Sequence, residues 1–172
     1  MKTVMLIGAL GLSLAACNGP AQPAATKETS APATPAAPAP APAAVVLPAV
    51  DVAALQAGLT PDDTLEALTF APTGTASASG AIKSYKAPVY AVPVAAGQTL
   101  TVSFKPSNTS QYLNVVDAAD TTGAAVHRGE VDGPDASLTA AKDTVYLLKP
   151  FLVRAAARRG ESGTFEIAVT RK

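Results

Sequence analysis

Thr99-Leu100-Thr101-Val102-Ser103-Phe104 alternates strictly between hydroxyl and hydrophobic side chains. That period of two commits the stretch to a β-strand with one face buried. Leu100, Val102 and Phe104 are predicted to face a core, and Thr99, Thr101 and Ser103 to face water. Comparable runs flank it: Ser77, Ser79 and Ala81 alternate with Ala78, Gly80 and Ile82, and Val89-Tyr90-Ala91-Val92-Pro93-Val94 is apolar on both faces. Ala96-Gly97-Gln98 between two of these runs reads as a hairpin connection. Pro93 has no N–H for a ladder, which places it at an edge or a bulge. Further strands are predicted at Tyr112 to Val116, Ala125 to His127, Thr144 to Leu148 with an extension to Val153, and Thr164 to Thr170. Turn residues separate them at Ser107-Asn108, Asp120 to Gly123, Asp132-Gly133-Pro134, Lys142-Asp143 and Gly160 to Gly163. The predicted class is all-β, a single β-sandwich or jelly roll of about eight strands. It is assigned to residues 68–172, enough chain for one core and too little for two.

Upstream the pattern changes twice. Residues 45–67 read as a lead-in with one or two short helices, and Thr60-Pro61-Asp62-Asp63 carries the signals of a helix start: a capping hydroxyl, proline at the first position, acids in the first turn. Leu65 to Phe70 is expected either to end that helix or to begin the first strand. From Gly19 to Ala44 the sequence is largely Ala, Pro and Thr, with Pro32, Pro35, Pro38, Pro40 and Pro42 closely spaced. Such a composition disfavours helix and sheet alike and predicts a semi-rigid spacer.

Residues 1–16 read as a secretory signal peptide, with Lys2 as the positive end and Val4 to Leu14 as the apolar stretch, too short to span a bilayer. Leu14-Ala15-Ala16-Cys17 closes it and resembles the bacterial lipobox. That resemblance implies cleavage before Cys17, diacylglycerol and palmitate-type acylation there, and, with Asn18 following, sorting to the periplasmic face of the outer membrane. Residues 17–44 are then a lipidated N-terminus and stalk. Cys17 is the only cysteine, so no intrachain disulfide supports the fold.

The residues argue against catalysis. One histidine, His127, and one cysteine leave no Cys/His zinc set and no Cys-His pair. A serine nucleophile would need His127 with Asp117, Asp120 or Asp132 as its orienting acid, and no serine sits in a nucleophile elbow. Asp117, Asp120, Glu130, Asp132 and Asp135 fall on predicted turns; their spacing does not match an EF-hand, and solvated turns are favoured over a calcium loop. No cofactor or metal is predicted. With 13 basic and 13 acidic side chains the charge is balanced, which argues against nucleic acid as a partner.

Ala81-Ile82-Lys83, Tyr90-Ala91-Val92, Ala95 to Val102, Tyr112-Leu113-Asn114-Val115, Arg154-Ala155-Ala156-Ala157-Arg158-Arg159-Gly160-Glu161 and Phe165 to Val169 together resemble a family of small bacterial periplasmic domains. That family is similar to the inhibitors of invertebrate-type and goose-type lysozymes and, more distantly, to the prepeptidase C-terminal β-sandwich. Its usual arginine-rich run has asparagine where this chain has Ala155. The resemblance implies a sandwich of eight or nine strands that binds a partner and performs no chemistry. It points to Arg154, Arg158, Arg159, Glu161, Ser162, Gly163 and Phe165 as partner-binding residues; Ser162-Gly163-Thr164-Phe165 resembles a Ser-Gly loop motif with Phe165 in place of a tyrosine. The same residues also read structurally, Arg154 and Arg158 as bridges to acidic turns or to carbonyls at the mouth of the sandwich and Ser162-Gly163 as a tight turn into the last strand. The expected function is a lipid-anchored envelope protein that plugs the cleft of a lysozyme with a loop. The alternative is a structural module that binds peptidoglycan, another glycan or an envelope protein without inhibiting.

Overall fold

The computed structural model describes residues 45–172; the signal peptide, Cys17 and the proline-rich stalk predicted above lie outside them. Nine strands among these residues form two facing sheets, an all-β sandwich. The first sheet runs in the order β1 (Asp63–Ala67), β3 (Ala87–Val94), β8 (Thr144–Leu152), β5 (Gln111–Asp117), β6 (Ala125–Arg128). The second runs β2 (Thr75–Lys83), β9 (Ser162–Arg171), β4 (Thr99–Pro106), β7 (Asp135–Thr139). Neighbours are antiparallel except β1 and β3, which are parallel.

The alternation in β4 does what its period requires. Leu100, Val102 and Phe104 enter the core between the sheets, where Ile167 and Val169 of β9, Val92 and Val94 of β3, Leu113 and Val115 of β5 and Leu148 of β8 meet them. Each such aliphatic side chain contributes about 1.5–3 kcal/mol on burial. β3 is apolar on both faces because both are covered. On its outer side Val89 and Ala91 join Leu65, Val116 and Leu147, under Val50, Leu55 and Leu59 from the N-terminal segment.

That segment holds helix α1 (Val52–Ala57), capped by the Asp51 carboxylate accepting from Ala54 N at 2.9 Å. The helix start expected at Thr60 is absent. Thr60 instead turns the chain, its Oγ1 donating to Asp63 Oδ2 and its carbonyl accepting from Asp63 N, and β1 follows at once. Gln56 then spans the outer edge of β1, donating to Asp63 O at 2.9 Å and accepting from Leu65 N at 2.7 Å. β1 therefore lies within the stretch read as a lead-in, upstream of residue 68.

The Ala96-Gly97-Gln98 link is not a hairpin. β3 and β4 belong to different sheets, so the link crosses the end of the sandwich, with Gly97 at φ 80 and its N–H donated to Ala140 O. Pro93 sits beyond the end of β1, whose pairing with β3 stops at Ala91. Its carbonyl accepts from Arg171 Nη1 at 2.6 Å, and the Arg171 guanidinium lies 4.1 Å from the Phe70 ring centroid. Burial lowers the Arg171 pKa from its ordinary value.

Candidate functional site

The residues singled out from sequence gather at one end of the sandwich, where β8 gives way to β9. Between them the chain forms helix α3 (Arg154–Arg158) rather than an open loop. Three consecutive alanines favour the helix, and Ala156 and Ala157 bury their methyls in the core. The end is closed by Gly160 in the left-handed region at φ 74, with Gly160 N donating to Ala157 O and Glu161 N to Ala156 O. This pair of bonds is a Schellman cap, and it needs a residue that tolerates positive φ.

The outward side of α3 carries charge. Arg154 and Arg158 are four residues apart on the same face, and both are exposed. Among the described residues neither forms an ion pair, so they do not bridge to the acidic turns. Arg159 is tied down, its Nε 2.7 Å and Nη2 2.6 Å from Glu161 Oε1. Ala155 is exposed beside them.

The turn between β2 and β3 packs onto this helix. Lys83 and Lys86 exchange backbone bonds at 3.0 Å, and Ser84 adopts φ 57, left-handed for a residue with a side chain. Two bonds hold Ser84 there: its N–H donates to Glu161 O at 2.9 Å and its hydroxyl to Ala157 O at 2.8 Å. The strained residue presents Tyr85, which is 52% exposed. Sequence reading missed Tyr85; a tyrosine between two lysines in a link too short for anything but a turn was the available signal.

Ser162 and Gly163 open strand β9, where they pair with Lys83 and Ile82. Ser162 is exposed, and Gly163 is there for space. A Cβ on it would lie 2.5 Å from Asn108 Nδ2 and 2.8 Å from Gln111 Nε2. Asn108 lies in the β4–β5 loop, which Gln111 at the start of β5 organises: its Oε1 accepts from Ser107 N, Ser107 Oγ and Asn108 N. Ser107 also holds Thr164, giving its N–H to Thr164 O and accepting from Thr164 N at its Oγ, each at 2.9 Å. Phe165 points inward, 3% exposed, with its ring 5.6 Å from Phe104 and 6.4 Å from Tyr90. It supports the end of the sandwich from beneath and offers no surface to a partner.

His127 is buried, with Nε2 3.0 Å from Gly133 O and Nδ1 3.8 Å from Asp132. It fixes the turn around the short helix α2 (Gly129–Asp132). The acids act locally: Asp117 accepts from the Thr144 hydroxyl and Ala119 N, and Asp120 from Thr122 Oγ1 and N. Among the described residues no group of three or more His, Cys, Asp or Glu is placed to hold a metal ion.

A cleft of about 420 Å³ lies beside this end of the molecule, lined by Tyr85, Asn114, Lys149 and Phe151 among others, with Lys149 Nζ 3.9 Å from Asp63.

No protein-family model matches the chain, and no curated protein sequence matches it. Solved structures do. The domain is similar to Aeromonas hydrophila PliG, a periplasmic inhibitor of g-type lysozyme, with 28% identity, TM-score 0.57, and coverage of 64% of this chain and 97% of that one. A mutant of PliG from Escherichia coli gives 22% identity and TM-score 0.50 over 64% of this chain and 98% of that one. Salmonella Typhimurium PliG gives 23% and 0.49, over 63% and 97%. The Escherichia coli likeness speaks to the fold, the Aeromonas likeness to the fold and the sequence together. The resemblance to lysozyme inhibitors read from the sequence is the one the Aeromonas hydrophila structure shows. That protein is an inhibitor of g-type lysozyme, the kind of protein that the arginine-rich run and its neighbours suggested.

Proposed function

We propose that this chain is a periplasmic inhibitor of lysozyme, with a g-type enzyme as target. The observation that carries this reading is the likeness to the Aeromonas hydrophila inhibitor across 97% of that protein's length. The contact surface is the end of the sandwich that presents Tyr85, Arg154, Arg158 and Ser162. A lysozyme cleft holds the carboxyl groups of glycoside hydrolysis. Guanidinium donors on α3 meet such groups with charge-assisted hydrogen bonds, and Tyr85 supplies apolar area with one polar tip. Rigidity matters as much as chemistry, since ordering side chains on binding opposes affinity. Ser84, the Schellman cap and the Ser107–Gln111 loop supply it.

Cys17 is the proposed lipid attachment point, with residues 17–44 as a stalk that holds the domain off the periplasmic face of the outer membrane. Several acyl chains anchor stably where one does so only marginally. The inhibitor reading is tested by titrating purified chain into g-type lysozyme acting on peptidoglycan: activity should fall to near zero at about one equivalent.

A second reading is favoured by the cleft beside the site. Tyr85 and Phe151 offer rings and Asn114 and Lys149 offer polar groups, a combination suited to a glycan. Co-sedimentation with peptidoglycan without inhibition would support it over the first.

A further inference from the structure

Every open sandwich has edge strands, and exposed edges are normally shortened, charged or covered. Here three edges are managed: β1 has five residues and is bridged by Gln56, β6 has four, and β7 has five and begins with Asp135. The fourth is not. β2 has nine residues, Thr75 to Lys83, without proline and uncharged until its last position.

The ladder to β9 fixes which β2 groups point outward. Arg171 N donates to Gly74 O and Ser84 N to Glu161 O, so even-numbered residues face β9 and odd-numbered ones face away. Three odd-numbered groups find partners within the chain: Thr75 O accepts from Ala71 N, Lys83 pairs with Lys86, and Ser79 O accepts the Tyr90 hydroxyl at 3.3 Å. The N–H and C=O of Ser77 and Ala81 and the N–H of Ser79 have none among the described residues, and all three residues are exposed. Their side chains are too small to obstruct an approaching strand.

The other sheet reaches further. β3 lies under β2, since a Cβ on Gly80 would touch Pro88 and Tyr90 at 3.0 and 3.1 Å, and β1 lies beyond β3. Leu65 of β1 packs outward, so Thr64 and Glu66 point toward the sheet interface, yet both are exposed because no strand covers them. Glu66, in register with Tyr90, forms no ion pair among the described residues. A second copy paired antiparallel does not fit here: with both β3 strands on the same side, the projecting β1 of one copy would run into β3 of the other. One strand does fit.

We propose that the free edge of β2, above the uncovered Thr64 and Glu66 of β1, is a binding site for a single extended polypeptide segment of a partner protein that carries lysine or arginine at the position over Glu66. Backbone pairing to Ser77, Ser79 and Ala81 gives affinity, and the inward cation gives selectivity.

The test uses the full chain and two synthetic heptapeptides, one alternating Lys with Val and Thr, the other with Glu in place of Lys. The Lys peptide should slow amide exchange at Ser77 and Ala81 about tenfold, and the Glu peptide should not. Ser79→Pro removes an outward N–H without touching the β9 ladder and should abolish the effect. Glu66→Lys, an exposed substitution that should leave the fold intact, should reverse the peptide preference. Unchanged exchange with both peptides at millimolar concentration overturns the proposal, as does protection of Ser77 and Ala81 already present in the free chain, which would mean that residues 1–44 or a second copy occupy the edge.

Discussion

Ser84 and Ala157 are 73 positions apart in sequence, and the Ser84 hydroxyl donates to the Ala157 carbonyl at 2.8 Å while Ser84 itself sits at φ 57. The bond joins the turn that presents Tyr85 to the helix that presents Arg154 and Arg158. A left-handed conformation costs a non-glycine residue about 1–2 kcal/mol, and this contact offsets it.

Ser84→Ala removes the hydroxyl and keeps the strain. It should lower stability by about 1–2 kcal/mol, read from the urea midpoint, and weaken lysozyme inhibition as well. Ser84→Gly relieves the strain while losing the same bond, so it should retain stability better than alanine. Equal stability for wild type and Ser84→Ala would show that the bond does not hold the turn.

Gly163→Ala places a methyl where Asn108 and Gln111 already lie. Overpacking of this kind costs about 1–3 kcal/mol, and the β4–β5 loop must shift to relieve it. Thermal unfolding should register the loss, and amide exchange should show it concentrated at Ser107 to Gln111.

Arg159 and Glu161 are paired but exposed, 61% and 39% by side chain. Such a pair contributes less than about 1 kcal/mol, so Arg159→Ala should leave stability nearly unchanged. Arg158→Ala should also be neutral for folding but should weaken inhibition. A double-mutant cycle across Arg159 and Glu161 measures the first statement directly.

Two core-facing tyrosines set the alkaline limit. Burial first, then Glu66, raises the Tyr90 pKa, and burial first, then Asp117, raises that of Tyr146. A raised folded-state value means the stabilisation is complete below the unfolded pKa and is lost as pH climbs through the folded one. The melting temperature should therefore hold through neutral pH and fall above roughly pH 10. Asp120 acts at the other end: hydrogen bonds from the Thr122 hydroxyl, then its N–H, lower its pKa, so its contribution is present at neutral pH and lost on acidification. Tyr90→Phe should make the alkaline limb shallower, with Tyr146 accounting for the rest, and leave the acid limb unchanged.

The strands that could be read from sequence are those whose pattern comes from burial. β4 alternates because one face is wet, and β3 does not because α1 and its flanks cover the other. β1 was hidden because Leu65 is the one buried side chain in Asp63–Ala67 and its partner β3 lies beyond β2 in the chain. Its Thr-Pro-Asp-Asp entry carried helix signals that Gln56 and β3 override. β7 shows only Ala136 and Leu138 as its apolar face, too little to mark a strand. The Ala96-Gly97-Gln98 link misled because sequence shows that two strands are close in the chain, not that they share a sheet. At the site, the arginine-rich run was visible but its helical form was not, and Phe165, matched to a tyrosine by motif, turned out to be core. Tyr85 owes its prominence to the left-handed Ser84, and its one mark in the sequence is a tyrosine between two lysines in a short link.

The most direct measurement is the titration of a g-type lysozyme with the wild-type chain and with a Tyr85→Ala, Arg158→Ala double variant, both shown to unfold at the same temperature. Wild type should abolish lysis at about one equivalent, and the double variant should require at least tenfold more, a loss of about 1.4 kcal/mol in binding. Failure of the wild type to inhibit, or equal inhibition by both, would contradict the assignment of this end of the sandwich to lysozyme.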